Sequence, residues 1–269
     1  MRFYDLDIDV KNYAKRIIDA GYKCPADINS VSDFVKGLKI LNLWGNVIFW
    51  ALRANQNAGS GTTAYSLGSL GNSNGTLTNG PTWQANGIRS TGVGVPPPNI
   101  VLSNTNLLSY SQRTFFAVIN PLANTLDNTV AMTNSYGLEY AGSQAGMFLG
   151  TSAGYSRNQA GQNGNYSEIT GTTLTLSIFS SIALSYNAGP ITFYRNGTAN
   201  GTNSSGTLRT LTDTNPIRLM AMNGGALNDR GLNGIFAFFA DIRMALNADQ
   251  ILSLNSLYKS TIGKGLGLP

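Results

Sequence analysis

From about residue 55 onward the chain is a series of short apolar runs set apart by Gly, Asn, Ser and Thr. No other feature limits the fold as strongly. β-branched and aromatic side chains fill a pleated face, while Gly, Asn and Ser reverse the chain, so closely spaced runs of this kind read as antiparallel strands of a sandwich or barrel. The runs predict strands near 100–102, 114–119, 129–132, 138–140, 147–149, 174–186, 191–194, 217–222 and 235–244. The clearest local signal lies at 191–198, where an alternating strand runs into Asn196-Gly197. Both residues tolerate positive φ, as a two-residue type I′ hairpin requires. Pro96-Pro97-Pro98 lacks the amide hydrogens of a sheet interior and is expected to be a connector.

The first 55 residues differ, holding eight of the 18 basic residues and six of the 13 acids. Between 9 and 20, Val10, Tyr13, Ala14, Ile17 and Ile18 recur at helical spacing, with Gly21 as the stop. A second helix is expected from Ser30, with Asp33 as its capping-box-like partner and Val31, Phe34, Val35, Leu38 and Leu41 on one face. Asp5, Asp7 and Asp9 alternate like a calcium loop, but Val10 and Arg16 stand where an EF-hand needs Gly and Glu. They read instead as an extended segment with Leu6, Ile8 and Val10 inward, the aspartates in water and Asp9 capping the helix. The run 47–52 is apolar on both faces and must be buried, against either the main domain or a partner chain. Near the other end, Asn247 and Gln250 form a capping box ahead of Ile251, Leu254, Leu257 and Tyr258. Residues 261–269 are expected to form a flexible tail.

Composition removes whole classes of chemistry. With no histidine there is no Ser-His-Asp or Cys-His catalysis and no histidine metal site. With Cys24 as the one cysteine there is no intrachain disulfide and no thiolate cluster. No cofactor and no metal site is implied. The net charge of +5 is scattered without a basic run, so no nucleic-acid partner is expected. No apolar stretch reaches the roughly 18 residues of a membrane span, and the opening residues lack signal-peptide order, so a soluble protein made in a cytoplasm is expected.

The β region resembles the concanavalin A-like lectin/glucanase superfamily in its laminin-G-like jelly-roll form. Three stretches carry the resemblance: 74–83 followed by Gly87-Ile88; Ala183-Leu184-Ser185-Tyr186 leading through 191–195 to Asn196-Gly197; and 234–243 followed by 245–251 and Tyr258. Tyr13-Ala14-Lys15-Arg16-Ile17-Ile18, Phe34-Val35-Lys36-Gly37-Leu38-Lys39, Leu43-Trp44 and the stretch 56–65 resemble the leader of such jelly-rolls in tailed-bacteriophage structural proteins. The resemblance implies an antiparallel jelly-roll β-sandwich over 56–260, preceded by a helical attachment segment at 1–55 and ending in a closing helix. It also implies a place in the virion beside other virion proteins, as a homo-oligomer, with a trimer the first expectation.

A retaining glycosidase needs two carboxyl groups about 5 Å apart. The β-region acids are Asp127, Glu139, Glu168, Asp213, Asp229, Asp241 and Asp249, and no two are spaced to share one strand face. The chain therefore reads as non-enzymatic, with Glu139 and Glu168 as the carboxylates to suspect otherwise. Tyr136, Tyr140, Tyr155 and Tyr166, with Arg157 and Asn158 on Gly-rich loops, suit the apolar faces and hydroxyls of a host-surface glycan, or a protein partner. Ordinary sheet packing is the competing account. Val10, Tyr13, Ile17, Phe34, Leu38, Trp44 and Trp50 are the attachment candidates, although Trp44, Trp50 and Trp83 also read as core. The expectation is a capsid decoration or tail fibre; the rival is a carbohydrate-active enzyme or free lectin. Removal of residues 1–45 is expected to leave a folded jelly-roll that no longer assembles.

Overall fold

Alternation along the long strands sorts side chains onto two sheet faces, and in the first sheet both faces are buried. The computed structural model describes residues 5–94, 97–103, 112–123, 129–133, 143–149, 160–162, 165–167, 174–187, 190–203, 217–221 and 231–269. The strands are β1 (Val47–Ala51), β2 (Thr63–Ala64), β3 (Leu67–Gly68), β4 (Gly75–Thr78), β5 (Thr82–Gln84), β6 (Gly87–Thr91), β7 (Asn99–Leu102), β8 (Gln112–Pro121) and β9 (Thr129–Thr133). They continue as β10 (Ser143–Leu149), β11 (Ala160–Gln162), β12 (Asn165–Ser167), β13 (Ser180–Asn187), β14 (Ile191–Arg195), β15 (Thr198–Asn203), β16 (Arg218–Leu219) and β17 (Asn233–Ile242). One sheet runs β15-β14-β13-β8-β17-β1-β3, with β5 and β6 joined to it through β17; the other runs β12-β11-β10-β9-β16-β7-β4-β2. The described pairings between these strands are antiparallel, as in β8 with β13 and with β17.

Between the sheets, Ile48, Trp50, Phe115, Ala117, Ile182, Leu184 and Phe239 meet Leu77, Ile100, Leu102 and Leu219. The outer face of the first sheet carries Phe49, Phe116, Val118, Phe238 and Ala240. It is roofed by the helices α1 (Ile8–Asp19), α2 (Ile28–Ile40) and α3 (Ala248–Ser260). The protein is thus a mainly β antiparallel sandwich with a helical layer on one side. Phe34 of α2 fixes that layer. Its ring lies 5.2 Å from Phe49, 5.5 Å from Phe238 and 6.3 Å from Tyr258, edge-on to all three, the geometry that aromatic quadrupoles favour.

The local signals at both ends of the β region hold. Asn196 and Gly197 have φ of 51° and 84°, and Arg195 pairs directly with Thr198 across the turn. Asn247 and Gln250 cap α3 reciprocally, at 2.9 and 3.0 Å. Other expectations shift. Asp7, not Asp9, caps α1: its Oδ1 accepts the Asp9 amide at 3.0 Å. Ile8 is 62% exposed rather than inward, because helical geometry turns it away from the sheet. Asp5 is exposed as expected, but Asp7 and Asp9 are not free in water, since Lys39 Nζ donates to Asp7 at 2.8 Å and to Asp9 at 2.7 Å. Burial by itself would raise the Asp7 carboxyl; the hydrogen bonds from Lys39 and the Asp9 amide outweigh it and hold the group below its usual range. Helix α2 begins at Ile28, ahead of Ser30, whose hydroxyl instead donates to Asp27 at 2.6 Å. The strand expected over 174–186 begins at Ser180, because Ser177 takes a positive φ of 62° and its amide donates to Pro121 O. The strand expected at 138–140 lies outside the described residues.

The attachment candidates are internal. Val10, Tyr13, Ile17, Phe34 and Leu38 are buried against the sandwich of the same chain, and Trp50 is in the inner core. Trp44 and Trp83 are half-buried, Trp44 beneath the Lys39 ammonium at 5.1 Å. The run 47–52 finds its two-sided burial as β1, a strand of the first sheet, rather than on a partner. The closing segment is held down as well. Ile262 is buried, and its carbonyl accepts from Arg53 Nη1 at 2.9 Å and Gln56 Nε2 at 2.8 Å.

This packing reverses the expected outcome of truncation. Deleting residues 1–45 strips the cover from Phe49, Phe116 and Phe238, so the remainder should be insoluble or lack a cooperative unfolding transition. Phe34→Ala is expected to cost about 3–5 kcal/mol in urea denaturation. A loss under about 1 kcal/mol would mean that the helices are not part of the core.

Candidate functional site

Helix α1 crosses the short edge strand β3, and a cleft of about 300 Å3 opens between them. One wall is a helical face, Asp9, Asn12, Arg16 and Asp19, with Lys15 beside it; the other is Leu67, Gly68 and Asn72, and Tyr13 lies beneath. Spacing of three and four residues places those helix side chains on one side. Gly68 lets β3 lie close against β1: a Cβ there, at φ +156°, would stand 2.2 Å from Val47 O, so any other residue would push β3 off β1.

The charges in the cleft are organised. Lys15 pairs with Asp19 at 2.5 Å, and Asp9 with Lys39 at 2.7 Å. Arg16 has no carboxylate partner among the described residues. Its Nη2 donates to Ser66 O at 2.5 Å and its Nη1 to Asn74 Oδ1 at 3.5 Å, tying α1 to the chain on both sides of β3. Burial pushes the guanidinium below its ordinary range, opposed by the Tyr13 and Tyr65 phenols. Beneath it the Tyr13 hydroxyl donates to Gln56 O at 2.9 Å, and burial raises that phenol far above its usual value. Gln56 also donates to Asp27 Oδ2 at 2.8 Å. The neighbouring amide of Asn57 spans the carbonyls of Ala51 and Tyr65 at 2.8 and 2.9 Å. The floor is therefore rigid, while Asn12, Lys15, Asp19 and Asn72 remain exposed.

Between the sheets lies a second cluster. Alternation with Phe115, Leu184 and Phe239 turns Arg113, Tyr186 and Asp241 inward. The Arg113 guanidinium sits 5.2 Å from the Phe115 ring and 5.7 Å from the Tyr186 ring. Among the described residues, neither carboxylate oxygen of Asp241 has a hydrogen-bond donor. Burial pushes this carboxyl up to about 7, with Arg113 and Arg243 pulling the other way. Asp249 belongs to α3, on the opposite side of the same sheet, so these two acids do not face one another. Asp127, Glu139, Glu168, Asp213 and Asp229 lie outside the described residues, as do Tyr136, Tyr140, Tyr155, Arg157 and Asn158. Tyr166 is in β12, opposite Gly161 at the edge of the second sheet. Among the described residues no three His, Cys, Asp or Glu converge as metal ligands. Of the cleft residues, sequence reasoning made only Tyr13 a site candidate, as an attachment contact; it read Asp9 as a helix cap and Lys15 and Arg16 as part of the leader resemblance. The polar face of Asn12, Arg16 and Asp19 reads from sequence as the solvated side of an amphipathic helix.

The family model described as the concanavalin A-like lectin/glucanases superfamily matches residues 98–252, more than half of the chain, which belongs to that superfamily. No curated protein matches the chain in sequence. Among solved structures, Trypanosoma rangeli sialidase is similar with a TM-score of 0.59 and 16% identity, over 87% of this chain and 39% of that one. A structure of botulinum neurotoxin type C, whose cell entry is described as dependent on two ganglioside molecules, gives 0.56 and 14%, over 81% and 53%. The binding domain of serotype D gives 0.57 and 12%, over 80% and 52%. At these identities the likeness is one of fold. The chain spans about two fifths of the sialidase and about half of each neurotoxin structure.

The Asp241 carboxyl generates a test. Its folded value of about 7 stands above the ordinary 3.8, so between those values the native state holds a proton that the unfolded state has released. Stability should fall as pH rises from about 4 through 7 and level off above. Asp241→Asn removes that titration, so the variant should gain on the parent with rising pH, by an amount on the order of a few kcal/mol above pH 7. Urea denaturation from pH 4 to 8 measures it; parallel curves for the two proteins would rule out the buried carboxyl as the cause.

Proposed function

We propose that this member of the superfamily binds glycans without cleaving them, and that the α1–β3 cleft is a contact site for the sugar. The observation that carries the reading is the cleft itself: its volume is at the lower end of the roughly 300–1,000 Å3 of small-ligand pockets, on a rigid floor. Asn12 and Asn72 each offer a donor and an acceptor to hydroxyls. The ganglioside dependence of the type C neurotoxin, a protein of similar fold, is consistent with it. For the absence of cleavage, the support is that Asp241 is sealed from solvent and faces no second carboxylate among the described residues, whereas most glycoside hydrolases work with two.

The setting we propose is a tailed-bacteriophage particle, as a capsid decoration or tail adhesin, with other virion proteins and sister copies as partners. Its support is the leader resemblance at 13–18, 34–39 and 43–44. Because the apolar stripes of α1 and α2 face their own sandwich, contacts with particle partners fall to exposed residues instead, Ile40 at 81% and Ile8 at 62% exposure among them.

Binding to an immobilised glycan panel is expected, with Asn12→Ala plus Asn72→Ala weakening it about tenfold, the equivalent of about 1.4 kcal/mol. No reducing sugar should be released from the bound polysaccharides. Release that is lost in Glu139→Gln or Glu168→Gln would establish the carbohydrate-active enzyme instead. Mass spectrometry of purified particles is expected to find the chain in stoichiometric copies, and its absence would remove the virion setting.

A further inference from the structure

The charges around the cleft balance in number but are not all paired. Asp19 is matched by Lys15 and Asp9 by Lys39, but Arg16 is matched by none of the described carboxylates. Its two hydrogen bonds go to neutral oxygens, the Ser66 carbonyl and the Asn74 amide. Those bonds fix the plane of the guanidinium without neutralising it. With Asp7 sharing Lys39, three cations and three carboxylates balance in number here, but no described carboxylate pairs with Arg16, which is half-buried. A partly desolvated guanidinium is costly without a counter-charge, and three of its five N–H groups remain for one. Lys15 and Lys39 are compact ammonium groups already engaged by acids, whereas the planar fork of Arg16 suits a carboxylate in bidentate fashion. Its orientation is set before any ligand arrives, so little side-chain entropy is lost on binding.

Building on the glycan-binding reading above, we infer that the cleft takes a carboxylate-bearing sugar, such as a uronic acid unit, with its carboxylate on Arg16. Asn12 and Asn72 then receive the hydroxyls of the same ring, and the paired Asp9 and Asp19 disfavour ligands of higher negative charge by repulsion.

Isothermal titration with an oligogalacturonide and with the same oligosaccharide after reduction of its carboxyl groups tests this. The acidic form is expected to bind at least about tenfold more tightly, the scale of a charge-assisted hydrogen-bonded pair. The preference should shrink in Arg16→Lys, vanish in Arg16→Gln and weaken with added sodium chloride. Because Arg16 also ties α1 to the sandwich, the wild-type protein supplies a second readout: the side-chain NMR resonance of Arg16 Nε should shift on addition of the acidic oligosaccharide and not of the reduced one. Equal affinity for the two sugars, a preference that survives Arg16→Gln, or an unmoved Arg16 resonance would overturn the inference while leaving glycan binding intact. If a panel of neutral and acidic glycans contains no ligand at all, the glycan-binding reading falls with it.

Discussion

Strand β1 is the place where all three layers of the protein meet. It pairs with β17 on one side and β3 on the other. Ile48 and Trp50 enter the core between the sheets, while Val47, Phe49 and Ala51 enter the core beneath the helices. Trp50 can be buried whole because its indole N–H donates to Ser73 O at 2.8 Å. Each large apolar side chain buried in this way contributes roughly 1.5–3 kcal/mol, and β1 contributes to both cores at once. The outer face of the first sheet carries Phe116 and Phe238 as well as Phe49, so an uncovered sheet would expose a contiguous aromatic surface. The helices are thus a layer of the sandwich, and a division of the chain near residue 55 would separate β1 from the strands it pairs with only in the sequence.

What was legible in the sequence was whatever local chemistry decides. Asn196-Gly197 specifies its turn through backbone conformation, and Asn247 with Gln250 specifies a helix start through two hydrogen bonds; neither needs the rest of the fold. The apolar run at 47–52 announced that both its faces must be covered, but not that it was a strand, because periodicity vanishes when both faces are apolar. The cap of α1 was misread by two residues. Asp7 and Asp9 are equally good N-cap residues, and the contact that distinguishes Asp7 is tertiary: its amide donates to Ser32 Oγ of another helix at 2.8 Å.

The cleft was less legible than the fold, and for a related reason. Asn12, Arg16 and Asp19 form a polar helix face, which in most proteins faces bulk water. That this one faces Gly68 and Asn72 follows from contacts between residues 47 and 68 that no local pattern encodes. Gly68 is telling. In sequence it is one of 31 glycines; in the structure it is the position where a side chain would strike Val47 O. Asp241 was visible as an acid in an apolar strand, but its isolation from solvent and from hydrogen-bond donors comes from β1 and β8 on either side of it.

The site's position follows from the demands of the sheet. The inner face of the first sheet is packed and its outer face is roofed, so a ligand can reach it only at an edge or a seam. At its edge, β3 pairs with β1 on one side and with no described strand on the other, and exposed edges invite pairing with other chains. Two features blunt it: β3 is two residues long, and α1 lies across it. A helix cannot fill the space beside so short a strand completely, because its axis stands a side chain's length from the sheet while the strand ends after Gly68. The gap that remains is the cleft, bounded by the polar side of α1 and held open by Arg16 on Ser66. Protection of the edge and formation of a ligand-sized recess are thus one geometric consequence of placing α1 over β3.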